Sequence, residues 1–194
     1  MKITRAPVFE ADSNALNREC LAERKGKVMA SRASIAGHPI HPMLIPFPIG
    51  LLVFSLVADL IFLWRGNPVW KEYIAFYTML AGIIGAAAAA IPGLIDWATL
   101  TDRPTVRVAN WHAGVNVVTL LIFIVDFYLR TSSGAAWITG MPMLPVILSI
   151  VGFVGLGIAG WLGGQMVFAH GVAVTTQART FTSKPETPQR SRAA

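Results

Sequence analysis

The sequence predicts an all-α protein, a bundle of four membrane-spanning helices. Three observations carry that reading. Of 194 residues, 54% are hydrophobic and only 13% are charged, where a soluble domain carries about a quarter charged residues. Mean hydropathy is +0.57. Four stretches, residues 43–64, 74–95, 111–129 and 143–168, are long and apolar enough to cross a bilayer, since a spanning helix needs about 20 such residues. Spanning strands would alternate and run about 10 residues instead.

Residues 1–36 form a polar, basic tail. Within it, Asp12 and Ser13 are placed to cap a short helix through Leu16, Cys20, Leu21 and Arg24, and Arg24, Lys25, Lys27 and Arg32 suit a membrane-surface anchor. Cys20 is the single cysteine, so an intrachain disulfide and a cysteine-based metal motif are both excluded. The tail ahead of the first span is too long for an ordinary signal-peptide n-region, so cleavage there is not expected. The membrane domain runs over residues 37–174. Its first loop, residues 65–73, is short and makes a tight hairpin of spans one and two. The next loop, 97–110, carries Asp102, Arg103 and Pro104, and the third, 131–142, is rich in Gly and Ser. Residues 175–194 are polar and Pro-containing, with the composition of disorder. Trp64, Trp70, Tyr73, Trp97, Trp111, Tyr128 and Trp137 lie near span ends, as an aromatic belt does.

Basic residues set the orientation. Thirteen fall on the side of the two tails and the middle loop; only Arg65, Lys71 and Arg130 fall on the other. Both termini are therefore expected in the cytoplasm. The pI near 10 then reflects topology and contact with anionic headgroups. No basic face interleaved with aromatics suggests nucleic acid.

The four histidines all flank span ends on one side: His38 and His41 before the first span, His112 opening the third, His170 after the fourth. In GHPIHP both histidines precede proline, which disfavours the α region. As a polyproline-like segment they would stand about 9 Å apart along one edge, too far for easy chelation of one ion. Pro42 suits a helix start, with His41 at the helix mouth, and Pro46 and Pro48 would loosen the first turns. Span two ends IPGLIDW, placing Pro92, Gly93 and Asp96 at the same side. A carboxylate near hydrocarbon tends to face the bundle with a partner, and the histidines are natural partners for Asp96. His112 and Asn116 are four apart on one helix face. Span four closes GGQMVFAHGVAV, bringing Gln165 and His170 to that side.

Spans two and four also carry small residues every fourth position: Ala81, Gly85, Ala89 and Gly93, then Gly155, Ala159 and Gly163, with Gly160 and Gly164 beside them. Such stripes let helices approach closely. Gly93, Gly163 and Gly164, nearest the histidines, would alternatively leave room for a flat macrocycle. Toward the other side, Asp126 precedes Arg130 by four residues, enough for a helix-surface ion pair. Asp59 has no local partner; it is expected to pair across helices, or to take part in proton movement.

Three readings of the histidine end compete. Two histidines from different helices would ligate a b-type haem, with the others setting its hydrogen bonding. Alternatively, His38, His41, His112, His170 and Asp96 would hold a transition-metal ion, as in three-ligand catalytic zinc sites or imidazole sites for copper and iron. Lastly, the polar groups would bind no cofactor and serve headgroups and the backbone freed at Pro92. No inverted repeat is evident and the polar groups avoid the midplane, which argues against a transporter.

GHPIHP, Asp59, IPGLIDW, the His112 segment and GGQMVFAHGVAV together resemble the bacterial family called domain of unknown function 2231, from about His38 to about Val174. The resemblance implies a four-helix inner-membrane protein whose recurring polar positions match His38, His41, Asp59, Asp96, His112 and His170. Links of some members to Rieske-type or other redox modules imply electron transfer. The expectation is thus haem-b-type electron transfer at the cytoplasmic end. His41 or His38 would pair with His112 or His170, Asp96 would bond a ligand imidazole, and Asn116 and Gln165 would lie close by. The lipid bilayer, a redox partner protein and further copies of the chain are the expected partners. A metal-dependent membrane enzyme and a cofactor-free structural or assembly subunit are the alternatives.

Overall fold

A computed structural model describes residues 31–131 and 143–174. The short helix expected after Asp12, the basic residues before Ser31, most of the third loop and the tail from 175 lie outside the described residues. The chain is all-α, with four helices long and apolar enough to cross a membrane: Ile40–Arg65, Trp70–Trp97, Arg103–Thr131 and Leu144–Phe168.

A small antiparallel hairpin comes first, β1 (Ser34–Ile35) against β2 (His38–Pro39). Its two-residue turn, Ala36 and Gly37, has positive φ at both positions, the backbone that matches strand twist. The Ile40 N–H bonds to the Ala33 carbonyl at 2.8 Å and closes it. The first span then begins as α1 (Ile40–Leu44) and continues after Ile45 as α2 (Pro46–Arg65). His41 is therefore helical, not extended as Pro42 suggests. Pro42 sits in the first turn, where N–H groups have no helical partner to lose. Pro46 and Pro48 do remove donors further along, and the helix is interrupted at Ile45.

Gly66, left-handed with φ 69°, ends α2 and bonds to the Phe62 carbonyl, the usual glycine stop. The loop is shorter than expected because the chain turns helical again at Trp70, first as a π-helical turn, Trp70–Ala75, then as α3 (Phe76–Trp97). Ser55 donates to the Ala75 carbonyl at the end of that turn, at 2.9 Å, tying the two spans where the helical ladder is widened.

The third span, α4 (Arg103–Thr131), starts eight residues before the expected position. Asp102 caps it: its carboxylate accepts the Thr105 N–H at 3.2 Å and hydroxyl at 2.6 Å, as an N-cap residue does, with Pro104 in the first turn. The fourth span, α5 (Leu144–Phe168), closes with left-handed Gly171 bonded back to the Val167 carbonyl.

The most extensive contacts join α2 to α3 and α4 to α5; between these hairpins α3 meets α4 and α2 meets α5. Small residues set the close approach inside each hairpin. A Cβ on Gly82 would lie 2.7 Å from Leu52, and one on Gly152 2.6 Å from Phe123; Gly155 is closed by Thr119. Leu52, Met79 and Phe123 form the central core, edged by Ile83, Phe127 and Leu156. Large apolar side chains such as Phe47, Ile84 and Trp161 face outward, as they do when lipid is the solvent.

Candidate functional site

The structure does not gather the four histidines into one shell. His38 lies exposed in β2, its Nδ1 bonded to the Ala36 carbonyl of its own turn at 3.0 Å. His170, just past α5, bonds through Nδ1 to the Thr105 hydroxyl at 3.2 Å. That hydroxyl gives its proton to Asp102, so it accepts from His170. His170 thus ties the end of the fourth span to the cap of the third.

His41 and His112 are different. His41 projects from α1 to α3, where its Nδ1 donates to the Ala89 carbonyl at 2.7 Å. Gly93, one turn on, makes room: a Cβ there would meet the imidazole at 2.8 Å. His112 projects from α4 to α5, where its Nδ1 donates to the Ala159 carbonyl at 2.9 Å. Gly163, again one turn on, lies under the ring at 3.2 Å. A carbonyl can only accept, so both rings carry a proton on Nδ1, and in the neutral imidazole the lone pair falls to Nε2. Asn116 lies within 3.1 Å of the His112 Nε2 and also donates to the His112 carbonyl at 2.8 Å.

The early start of α4 explains where His112 sits. It lies nine residues into the helix, about 14 Å from the helix start at 1.5 Å per residue, not at its mouth. The glycines expected to admit a macrocycle admit imidazoles instead: Gly93 and Gly163 are filled by His41 and His112, and only Gly164 faces open space.

Asp96 does not meet a histidine. Its carboxylate accepts from the Ser31 hydroxyl at 2.9 and 2.8 Å and from the Ala33 N–H at 3.0 Å. The segment leading into the β-hairpin folds down over the end of α3 and takes the carboxylate. A cleft of about 170 Å³ beside it is lined by Ser31, Arg32, Asp96, Thr99, Thr101 and Val172, among others, with no histidine in its wall. Gln165 is exposed on α5, with its carbonyl accepting from Ala169 and His170. Among the described residues no three His, Cys, Asp or Glu side chains stand close enough to hold one metal ion.

The opposite end of the bundle holds a second polar group. Arg130 donates to both oxygens of Asp59 at 2.7 and 2.6 Å, to Asp126 through Nε at 2.8 Å, and to the Ser149 hydroxyl at 3.1 Å. Ser149 in turn donates to Asp126 at 2.7 Å. The Asp126–Arg130 pair is no surface pair: the two side chains are 0% and 5% exposed. One guanidinium thus ties α2, α4 and α5 through two buried carboxylates. Ser149 carried no local signal as part of this group, and Arg130 reads from sequence as a loop-side cation.

Both imidazoles are fixed from behind by helix carbonyls, and the Nε2 of His112 has Asn116 beside it. The Arg130 group has its donors and acceptors turned on one another. No curated protein and no solved structure matches the chain. The model of a family described as "Predicted membrane protein (DUF2231)" matches residues 37–176, the hairpin turn and all four spans. The chain belongs to that family of predicted membrane proteins.

Proposed function

We propose that this integral membrane protein carries electrons through a b-type haem held between His41 and His112. One observation carries the reading: both imidazoles donate Nδ1–H to a carbonyl of another span, Ala89 and Ala159, which turns Nε2 away from that bond, the His112 Nε2 lying against Asn116. A backbone carbonyl behind a ligating histidine fixes its tautomer and ring orientation and raises its basicity. His41 and His112, on different helices, would hold the haem through their imidazoles, and the haem would supply reversible one-electron chemistry there. The chain's own part is to hold the rings and exclude water. Asn116 would release Nε2 on ligation and keep its bond to the His112 carbonyl.

His38 and His170 also bond through Nδ1, but His38 only to Ala36 of its own exposed turn and His170 to the Thr105 hydroxyl beyond the end of its span, and Asp96 accepts from Ser31 and Ala33. They are scaffold in this reading. The excess of basic residues beside the histidine end favours placing it in the cytoplasm, facing a redox partner protein. A cofactor-free structural subunit is the second reading, favoured by the same bonds, because each imidazole already ties two spans together. A transition-metal ion on this pair would need further ligands from outside it.

Visible spectra of the purified full chain, made with haem supplied, separate these. The haem reading expects a Soret band and a reduced α-band that His41→Ala and His112→Ala weaken and His38→Ala and His170→Ala leave unchanged. A colourless protein that takes up no haemin refutes it.

A further inference from the structure

The two hairpins repeat one another. On α3, Gly82, Gly85, Ala89 and Gly93 follow at spacings of three, four and four; on α5, Gly152, Gly155, Ala159 and Gly163 do the same. The partner helix answers in register. Leu52, Pro48 and His41 meet Gly82, Gly85 and Gly93, as Phe123, Thr119 and His112 meet Gly152, Gly155 and Gly163. A constant shift of 71 residues carries His41, Pro48 and Leu52 onto His112, Thr119 and Phe123, and a shift of 70 carries the α3 residues onto those of α5. Outward positions correspond too: Phe47 and Val118 are 70% and 58% exposed, Ile84 and Val154 61% and 53%.

The up-down order of four spans points both copies the same way. Contacts of α3 with α4 and of α2 with α5 are the reciprocal pair that a twofold axis along the bundle requires. At the far end the copies have diverged. Asp59 and Arg130 occupy equivalent positions and carry opposite charges, and they pair with each other at 2.7 and 2.6 Å.

We infer that the chain is two copies of one helical hairpin around an internal twofold axis, and that the histidine end takes a single metalloporphyrin on that axis, shared equally by both halves. His41 and His112 are equivalent and are held by equivalent carbonyls. A twofold axis lying in the plane of a metalloporphyrin exchanges its two axial positions, so one centre serves both rings. Gly93 and Gly163 are the positioning residues beneath the rings. The axis stands on the contacts alone; that the ligand is a metalloporphyrin rests on the function proposed above.

Two measurements on the full chain, in a Cys20→Ala background, test the halves separately. Spin labels at Phe47→Cys with Val154→Cys, and at Val118→Cys with Ile84→Cys, are related by the axis. Dipolar spectroscopy is expected to give the same distance for both pairs; distributions that do not overlap overturn the axis. Haemin titration is expected to give one haem per chain, with His41→Ala and His112→Ala lowering affinity by the same factor. Two haems per chain, or dependence on one histidine alone, overturn the shared ligand and the placement of haem between His41 and His112, and leave haem binding by the chain standing. No haemin uptake by the unsubstituted chain, with matching distances, overturns the haem function and the shared ligand and upholds the axis.

Discussion

Replacing Arg130 with methionine removes the guanidinium and keeps an unbranched apolar side chain. The guanidinium makes two bonds to Asp59, two to Asp126 and one to Ser149, and the arginine side chain is 5% exposed. Its loss leaves two buried carboxylates facing each other. Breaking a buried pair by removing one partner costs about 3–5 kcal/mol, or roughly two to three and a half decades in the folded-to-unfolded ratio at ~1.4 kcal/mol per decade. Asp126→Asn is the contrast. It leaves one carboxylate on one guanidinium, and the carboxamide oxygen still accepts a bond, so it should cost no more than about 1–1.5 kcal/mol, one net hydrogen bond. Reversible unfolding in mixed micelles, followed by far-ultraviolet circular dichroism, measures both. Arg130→Met within about 0.5 kcal/mol of the parent, the range of ordinary surface changes, would show that the group is not buried inside the bundle.

Three further outcomes are expected. Gly152→Ala puts a Cβ 2.6 Å from Phe123 and should destabilise by about 1–3 kcal/mol through overpacking, whereas Gly160→Ala, with nothing within 4 Å, should be neutral or stabilise by up to ~1 kcal/mol through helix propensity; the same unfolding assay reads both. Asp102→Ala removes the cap of the third span and should cost about 0.5–2 kcal/mol, with faster amide exchange in the first turn from Arg103. In apoprotein, His41→Ala loses a bond between spans and should cost about 0.5–1.5 kcal/mol, while His38→Ala, exposed and bonded only within its own turn, should stay within about 0.5 kcal/mol.

Apolar length was enough to read the four spans, because a bilayer imposes it on any helix that crosses. The start of the third span is masked by the charged residues from 102 to 107, which have the composition of a loop, although Asp102 and Pro104 form an N-cap signal. That one difference moves His112 from a helix mouth to a position about nine residues inside the helix. The i,i+4 spacing made Asp126–Arg130 visible, yet burial and the link to Asp59, 71 residues away, belong to tertiary packing that no local period encodes. Asp96 shares the histidine end in sequence, but its carboxylate is taken by the segment at Ser31–Ala33, whose fold back over the helix end no local pattern encodes. The repeat lay open in the sequence, since Gly-x2-Gly-x3-Ala-x3-Gly occurs twice. Read as two separate packing stripes, it hid the equivalence of His41 and His112.

The central claim is that these two histidines face one another across one haem. Low-temperature electron paramagnetic resonance of the oxidised full chain, purified with haem, tests it directly. The account predicts a low-spin ferric signal of bis-imidazole ligation that becomes high-spin in His41→Ala and in His112→Ala alike. A low-spin signal surviving in either variant, or no haem signal in the unsubstituted protein, contradicts it.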